Sequence, residues 1–187
     1  MNLLKKDADE FYHIVNFLTI NETYFFREPL HISLFSQQIV PEILRNRPSC
    51  TPVRILSAGA STGEEPYTLA IELFEKYGIG LNNKRFSIIG VDIDRGAIEK
   101  AKQGIYFGRS FRSLSPYLKE KYFEPVGSQR YAVKKYVRDI VGFYFLNLMD
   151  MPYPDFMKGM DIIFYRNVSI YFDSDVQKKY LKIYLRY

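Results

Sequence analysis

RILSAGASTGEEPYTLAI, residues 54–71, decides how this chain is read. Val53 to Ala58 is apolar enough for a strand buried on both faces. Gly59 and Gly63 follow, where a backbone can turn tightly and a ligand can come close. Glu64 and Glu65 then open a helix that runs to about Tyr77 and stops at Gly78. The free N–H groups and dipole at such a helix start attract anions, so a nucleotide phosphate rests there in many turns of this shape. Here two carboxylates occupy the position. The pattern predicts a ligand with a nucleoside and a positive charge but no phosphate, and S-adenosylmethionine, with its sulfonium and ammonium groups, fits that description. Read from the residues alone, Glu64 and Glu65 are equivalent candidates, and dipole complementarity would account for either.

Working outward, strand and helix keep alternating. FSIIGVDI, residues 86–93, is a second buried strand, and the short helix after it ends near Gly104. Ser115 and Pro116 open another helix with a cap and a first-turn proline. YAVKKYVRD (131–139) and IVGFYFL (140–146) read as two antiparallel strands, the second returning to the main sheet. DIIFYRNV (161–168) is another buried strand, and Ser174 or Asp175 caps a last helix. Upstream, Ala8 to Leu18 and about Leu30 to Arg45 have helical spacing, with a bend at Pro29 between them. The polar, proline-marked loop RNRPSCTPV (45–53) separates this leading part from the main domain.

Strands alternating with helices of this length imply a parallel sheet covered on both faces. Such sheets bind ligands beyond the carboxyl ends of their strands. That rule gathers SAGAST (57–62), VDID (91–94), LNLMD (146–150) and YRNVSIYF (165–172) into one crevice.

Bulk composition narrows the class. The 187 residues suit one domain or one domain with a small appendage, and 47% hydrophobic content argues against disorder. A net charge of +5 is a weak basic bias, too small to point to nucleic acid. Cys50 is the only cysteine, so no intrachain disulfide forms, and with His13 and His31 it is too little for a zinc site. The sequence has no apolar run of membrane-span length, and MNLLKKDADEF has no signal-peptide core; a cytoplasmic protein, with no direct membrane insertion, is expected.

Five blocks, NETYFFRE (21–28), SAGASTGEEPYTLAI (57–71), GVDIDRGAIEKAKQGIY (90–106), FLNLMD (145–150) and DIIFYRNVSIYFD (161–173), occur in the order found in CheR-type chemotaxis receptor methyltransferases. The chain resembles that family from about Asn21 to Phe172. The resemblance implies an α/β class I S-adenosylmethionine-dependent methyltransferase fold, Rossmann-like, with a largely parallel sheet, a small antiparallel β insertion and a short N-terminal helical part. It divides the chain into a helical segment at 1–50 and a methyltransferase domain at 51–187, with a β-hairpin subdomain at about 120–142. It also implies transfer of a methyl group from S-adenosylmethionine to glutamate side chains on the cytoplasmic helical bundle of a chemoreceptor, giving methyl esters and S-adenosylhomocysteine, by an enzyme expected to be monomeric.

By the same resemblance, cofactor contacts fall on Asn21, Thr23, Arg27, Glu65, Asp92, Asn147, Leu148, Arg166 and Asn167, with Gly59 giving the backbone close approach. Arg27 and Tyr171 match positions lining the site of methyl transfer. The family's separate leading helical domain is represented by at most its last helix, and its closing strand hairpin has no counterpart, which reads as either a truncated copy or a minimal relative. The short loop EPVGSQR (124–130) resembles relatives that do not use a receptor tether.

The chemistry suits these residues. A glutamate acceptor, with an ordinary pKa of ~4.3, is already ionised at neutral pH, so no catalytic base is needed. Asp92 can accept both protons of a ribose diol, or cap the next helix as Asp94 also can. Arg27 presents a planar fork that holds a carboxylate at two points, or a structural ion pair. Asn147 and Asn167 are amides in apolar runs that need partners. Arg109, Arg112, Lys134, Lys135 and Arg138 are candidates for a basic surface facing an acidic receptor. Two rivals stand beside this reading: a methyltransferase for nucleic acid or a small molecule, and a non-catalytic or truncated S-adenosylmethionine-binding regulatory module. YRNVSIYF lacks the proline turn of nucleic-acid amino methyltransferases, which counts against the first.

Overall fold

The computed structural model describes residues 22–48, 51–79 and 85–166. The expected helices at Ala8 to Leu18 and from Ser174 onward lie outside them. Four parallel strands form the main sheet: β1 (Val53–Ala58), β2 (Phe86–Asp92), β6 (Val141–Phe145) and β7 (Ile162–Phe164), in the order β6-β2-β1-β7. β1 is central, pairing Val53 through Ala58 with Phe86 through Val91 on one side and Ile55 through Ser57 with Ile162 through Phe164 on the other. All carboxyl ends therefore emerge along one edge. The chain turns outward in opposite senses from β1, which leaves a crevice at that edge.

One sheet face carries the helices. Val53 and Ile55 of β1 and Phe86 and Ile88 of β2 join one buried cluster with Leu69, Ile71 and Leu73 of α3 (Glu64–Tyr77) and Ile98 and Ala101 of α4 (Arg95–Gln103). Alternate residues Leu56, Ala58, Ile89 and Val91 point the other way, as the two-residue strand period requires. Among the described residues that second face is covered by Leu148, Tyr153 and Met157 of the segment after β6, which includes only a short 3-10 turn, Asp155–Met157.

The leading helix is α1 (Pro29–Leu34), a π turn (Phe35–Ile39) and α2 (Val40–Arg45). Pro41 explains the widened turn: it has no N–H to give, and its ring crowds the preceding turn of backbone. Phe35 still reaches the sheet, its ring 5.4 Å from Phe164. Asp94 caps α4 through the Ala97 N–H at 2.9 Å, and Ser115 caps α5 (Pro116–Tyr122) through the Leu118 N–H at 3.2 Å.

A second, antiparallel sheet has the order β3-β5-β4, from β3 (Ile105–Tyr106), β4 (Phe123–Pro125) and β5 (Tyr131–Val133). Here the sequence reading needs correction. Residues 131–139 do not pair with 140–146: β5 pairs with β4 and β3, the helical turn α6 (Lys135–Arg138) intervenes, and β6 runs parallel to β2. The alternation in YAVKKYVRD is also compatible with one helical turn, and burial of Val137 and Ile140 against the main core selects it.

Candidate functional site

The loop after β1 is shaped for close approach. Gly59 and Gly63 have φ of 81° and 94°, and Ser61, at 48°, is held by donating its N–H to Asp92 Oδ2 at 2.7 Å. A Cβ on Gly63 would stand 2.8 Å from Ala101 Cβ and 2.9 Å from Tyr106 Oη, so only glycine fits. Asp92 Oδ1 accepts the Asp94 N–H at 2.9 Å. The helix cap is Asp94, which leaves Asp92 as the acid of the strand end. Burial pushes the Asp92 carboxyl above its ordinary value, against the backbone N–H bonds that pull it down.

The two glutamates of α3 part company. Glu64 is turned inward, 2% exposed, taking hydrogen bonds from Thr62 Oγ1 at 2.6 Å and Ser110 Oγ at 2.9 Å. Glu65 faces the crevice, accepting from Ser57 Oγ at 2.7 Å and lying 3.5 Å from Arg166 Nη1. Burial raises the Glu65 carboxyl, with Arg166 the largest opposing influence.

Arg166, just beyond β7, is the hub. Its Nη2 donates to the Arg27 carbonyl at 2.9 Å and lies 3.4 Å from Glu28 Oε2. Yet its side chain is only 12% exposed, and its Nε and Nη1 are buried without a hydrogen-bond partner among the described residues. A buried guanidinium with unmet donors is costly unless something with acceptor oxygens arrives.

Glu22 to Glu28 form a strap over this hub. Phe25, fully buried, sets its ring against Tyr106, Phe111 and Phe123 at 4.9, 5.6 and 5.0 Å. Phe26 and Glu28, on either side of Arg27, both have left-handed backbone, φ 59° and 56°. Such residues cost about 1–3 kcal/mol each and persist only where surroundings impose them. Arg27 Nη1 donates to the Glu22 carbonyl, and its Nε is 3.9 Å from Glu28. Those partners belong to the strap, so Arg27 makes no structural ion pair with an acid of the main domain among the described residues.

The structure thus brings Arg27, Glu65 and Arg166 together, and separately Gly59 and Asp92, both along the carboxyl edge of the sheet. Leu146 N–H bonds the Asp92 carbonyl at 2.9 Å, which carries Asn147 and Leu148 to the same edge. There Asn147 Oδ1 accepts the Met149 N–H at 3.0 Å, while Leu148 is buried in the second cluster. Thr23 is half-buried in the strap. Asn21, Asn167 and Tyr171 lie outside the described residues. Glu28, Ser57 and Ser61 were not singled out from sequence; their motifs contain them, but nothing local marks them.

The candidate basic surface is partly engaged within the chain, while Arg109 is exposed. Lys134 Nζ caps the carbonyls of Glu120 and Lys121 at 3.1 and 2.8 Å, Lys135 pairs with Asp139 at 2.7 Å, and Arg112 lies 3.6 Å over the Tyr24 ring and 3.1 Å from Glu22. Arg138 is half-buried, its Nε enclosed. Of these, Lys134 and Arg112 join separate segments of the chain.

Residues 21–186 match the family model described as CheR methyltransferase, SAM binding domain. The chain belongs to the CheR methyltransferase family. It is 36% identical over 178 residues to the chemotaxis protein methyltransferase of Borreliella burgdorferi, covering 93% of this chain and 62% of that protein. Similarity to chemotaxis protein methyltransferase 2 of Vibrio cholerae is 36% over 167 residues, 89% of this chain and 57% of that one. Chemotaxis protein methyltransferase 1 of Pseudomonas aeruginosa is 36% identical over 171 residues, 90% of this chain and 61% of the relative. The chain therefore spans about three fifths of the length of these curated relatives.

As a CheR-family SAM binding domain, the chain has S-adenosylmethionine as its cofactor, and the donor set fits that molecule. The unmet N–H groups of Arg166 suit a carboxylate, and Glu65 beside them suits an ammonium. No helix among the described residues is long and apolar enough to cross a membrane.

Proposed function

We propose that this chain transfers a methyl group from S-adenosylmethionine to glutamate side chains on the cytoplasmic helical bundle of a chemoreceptor, forming glutamate methyl esters. It does so in the cytoplasm, as a monomer, with residues 51–187 as the methyltransferase domain, a β-hairpin subdomain at about 120–142, and 1–50 as a helical leader. The observation that carries this reading is the half-satisfied Arg166 guanidinium enclosed by Glu65 and the strap.

When bound, the cofactor supplies a methyl group carried on a positively charged sulfur. Glu65 would hold the ammonium of its amino-acid tail and Arg166 the carboxylate. Asp92 accepts from the ribose hydroxyls, and the backbone at Gly59 permits close approach. By the family resemblance, Asn21, Thr23, Arg27, Asn147, Leu148 and Asn167 would also contact the cofactor, and Arg27 and Tyr171 would serve the acceptor carboxylate. Because that carboxylate is ionised at neutral pH, the protein's work is to align it and exclude water.

Radiolabelled methyl transfer to receptor cytoplasmic fragments, followed by mild alkali, tests the proposal. Methyl esters release methanol in base, so the expected label is alkali-labile. Alkali-resistant label overturns the glutamate reading. Absence of label while S-adenosylhomocysteine still binds favours a regulatory module.

A further inference from the structure

Glu64 is the buried carboxylate that the proposed site leaves unused. Burial holds its proton affinity up, against the two hydroxyl bonds it accepts. Those bonds lead to different parts of the chain. Thr62 Oγ1, on Oε2 at 2.6 Å, belongs to the loop after β1. Ser110 Oγ, on Oε1 at 2.9 Å, belongs to the 3-10 turn Gly108–Phe111, and the carbonyl of the same Ser110 accepts the Phe25 N–H at 3.0 Å. The Glu64 carbonyl accepts Thr68 Oγ1 at 2.7 Å, and Thr68 Oγ1 in turn accepts the Phe26 N–H at 3.1 Å. The backbone N–H groups of Phe25 and Phe26 are thus both held by residues that bond Glu64: Ser110 through the Glu64 carboxylate, Thr68 through its main-chain carbonyl. A parallel link runs from the Thr62 carbonyl to Tyr106 Oη at 2.6 Å and from the Tyr106 ring edge-on to Phe25.

We infer that Glu64 is a positioning residue: it couples the loop after β1 to the strap, so that a ligand on that loop fixes the backbone on which Arg27 stands. The strap requires such a hold, because two left-handed non-glycine residues flank Arg27 and relax unless bonded from outside. A carboxylate is suited to the task since it accepts both hydroxyls at once, whereas an amide offers one acceptor oxygen. For its ligand-dependent part the inference rests on the proposed cofactor site.

Amide hydrogen exchange on the full chain tests it, with Glu64→Gln as the near-isosteric variant and Ser110→Ala as the milder one. In the ligand-free protein, both variants should speed exchange at Phe25 by about tenfold, with a smaller change at Phe26, which is held through the unaltered Glu64 main-chain carbonyl; the double variant should add little because both cut one bridge. With saturating S-adenosylhomocysteine, the parent should gain protection at Phe25; the variants should bind with affinity within about threefold of the parent and lose that protection. In the transfer assay kcat should fall about tenfold while the cofactor KM stays level, a split that plain loss of stability does not produce. Unchanged exchange at Phe25 in the ligand-free variants overturns the inference, as does equal ligand protection of Phe25 in parent and variants. Failure of the parent to bind the ligand counts against the cofactor site instead, and the ligand-free comparison still decides the coupling.

Discussion

Glu64 and Glu65 are neighbours about 100° apart around one helix turn, and that rotation gives them different work. Glu65 faces Arg166 across 3.5 Å and carries a carboxyl raised by burial. An arriving ammonium favours the ionised form, so the free site holds a proton more tightly than the occupied one. Affinity for S-adenosylhomocysteine should therefore rise with pH through the mildly acidic range and level off toward neutrality. Calorimetry across that range checks it, and Glu65→Gln should flatten the slope; a flat profile in the parent contradicts the assignment. Asp92→Ala should weaken the same binding by about tenfold or more, since it removes a ribose acceptor and frees the Ser61 and Asp94 N–H groups. At Gly63 backbone and space agree: alanine there meets Ala101 and Tyr106 under 3 Å at φ 94°. We expect Gly63→Ala to cost about 2–4 kcal/mol by urea denaturation.

Elements are fastened to one another by a few polar clamps at the sheet's ends. At the amino end of β1 and β7, Asp161 accepts the Arg54 N–H at 2.7 Å and pairs with Arg47, while its own N–H bonds the Arg54 carbonyl at 2.8 Å. Asp161→Ala should lose about 2–4 kcal/mol in denaturant titration, because it leaves a partly buried guanidinium and a backbone N–H unpaired. The α4 cap is a smaller matter: Asp94→Ala should cost ~1 kcal/mol. A loss at Asp161 no larger than at Asp94 would contradict this ranking. At the carboxyl end the clamps are the strap's, and they hold the strained Phe26 and Glu28 backbone in place.

At the scale of the whole molecule, a ligand that binds only the native crevice must stabilise the fold. Saturating S-adenosylhomocysteine should raise Tm by about 5–10 °C, and no shift would count against the cofactor site. Much of the architecture was legible beforehand. β1, α3 with its stop at Gly78, β2, α4 and the Ser115 cap follow from apolar period and from glycine, proline and capping residues, signals that act within a turn or two of chain. The carboxyl-edge rule then collected Gly59, Asp92, Asn147 and Arg166 without coordinates. What escaped was whatever depends on a distant partner. β5 found β4 and β3 because α6 and the core took the residues after it. Lys134 and Arg112 also reach carbonyls and an aromatic ring of the same chain, partners that the sequence reading of a receptor-facing basic surface did not include. The sequence by itself determined the succession of strands and helices and the acids at the head of α3, because secondary structure is written in neighbours. The residues alone left Glu64 and Glu65 equivalent and the family resemblance pointed to Glu65; only the tertiary structure gave the physical reason, because the atoms that part them, on Ser110 and Arg166, stand 46 and roughly a hundred positions away and reach them only once the sheet has closed its crevice.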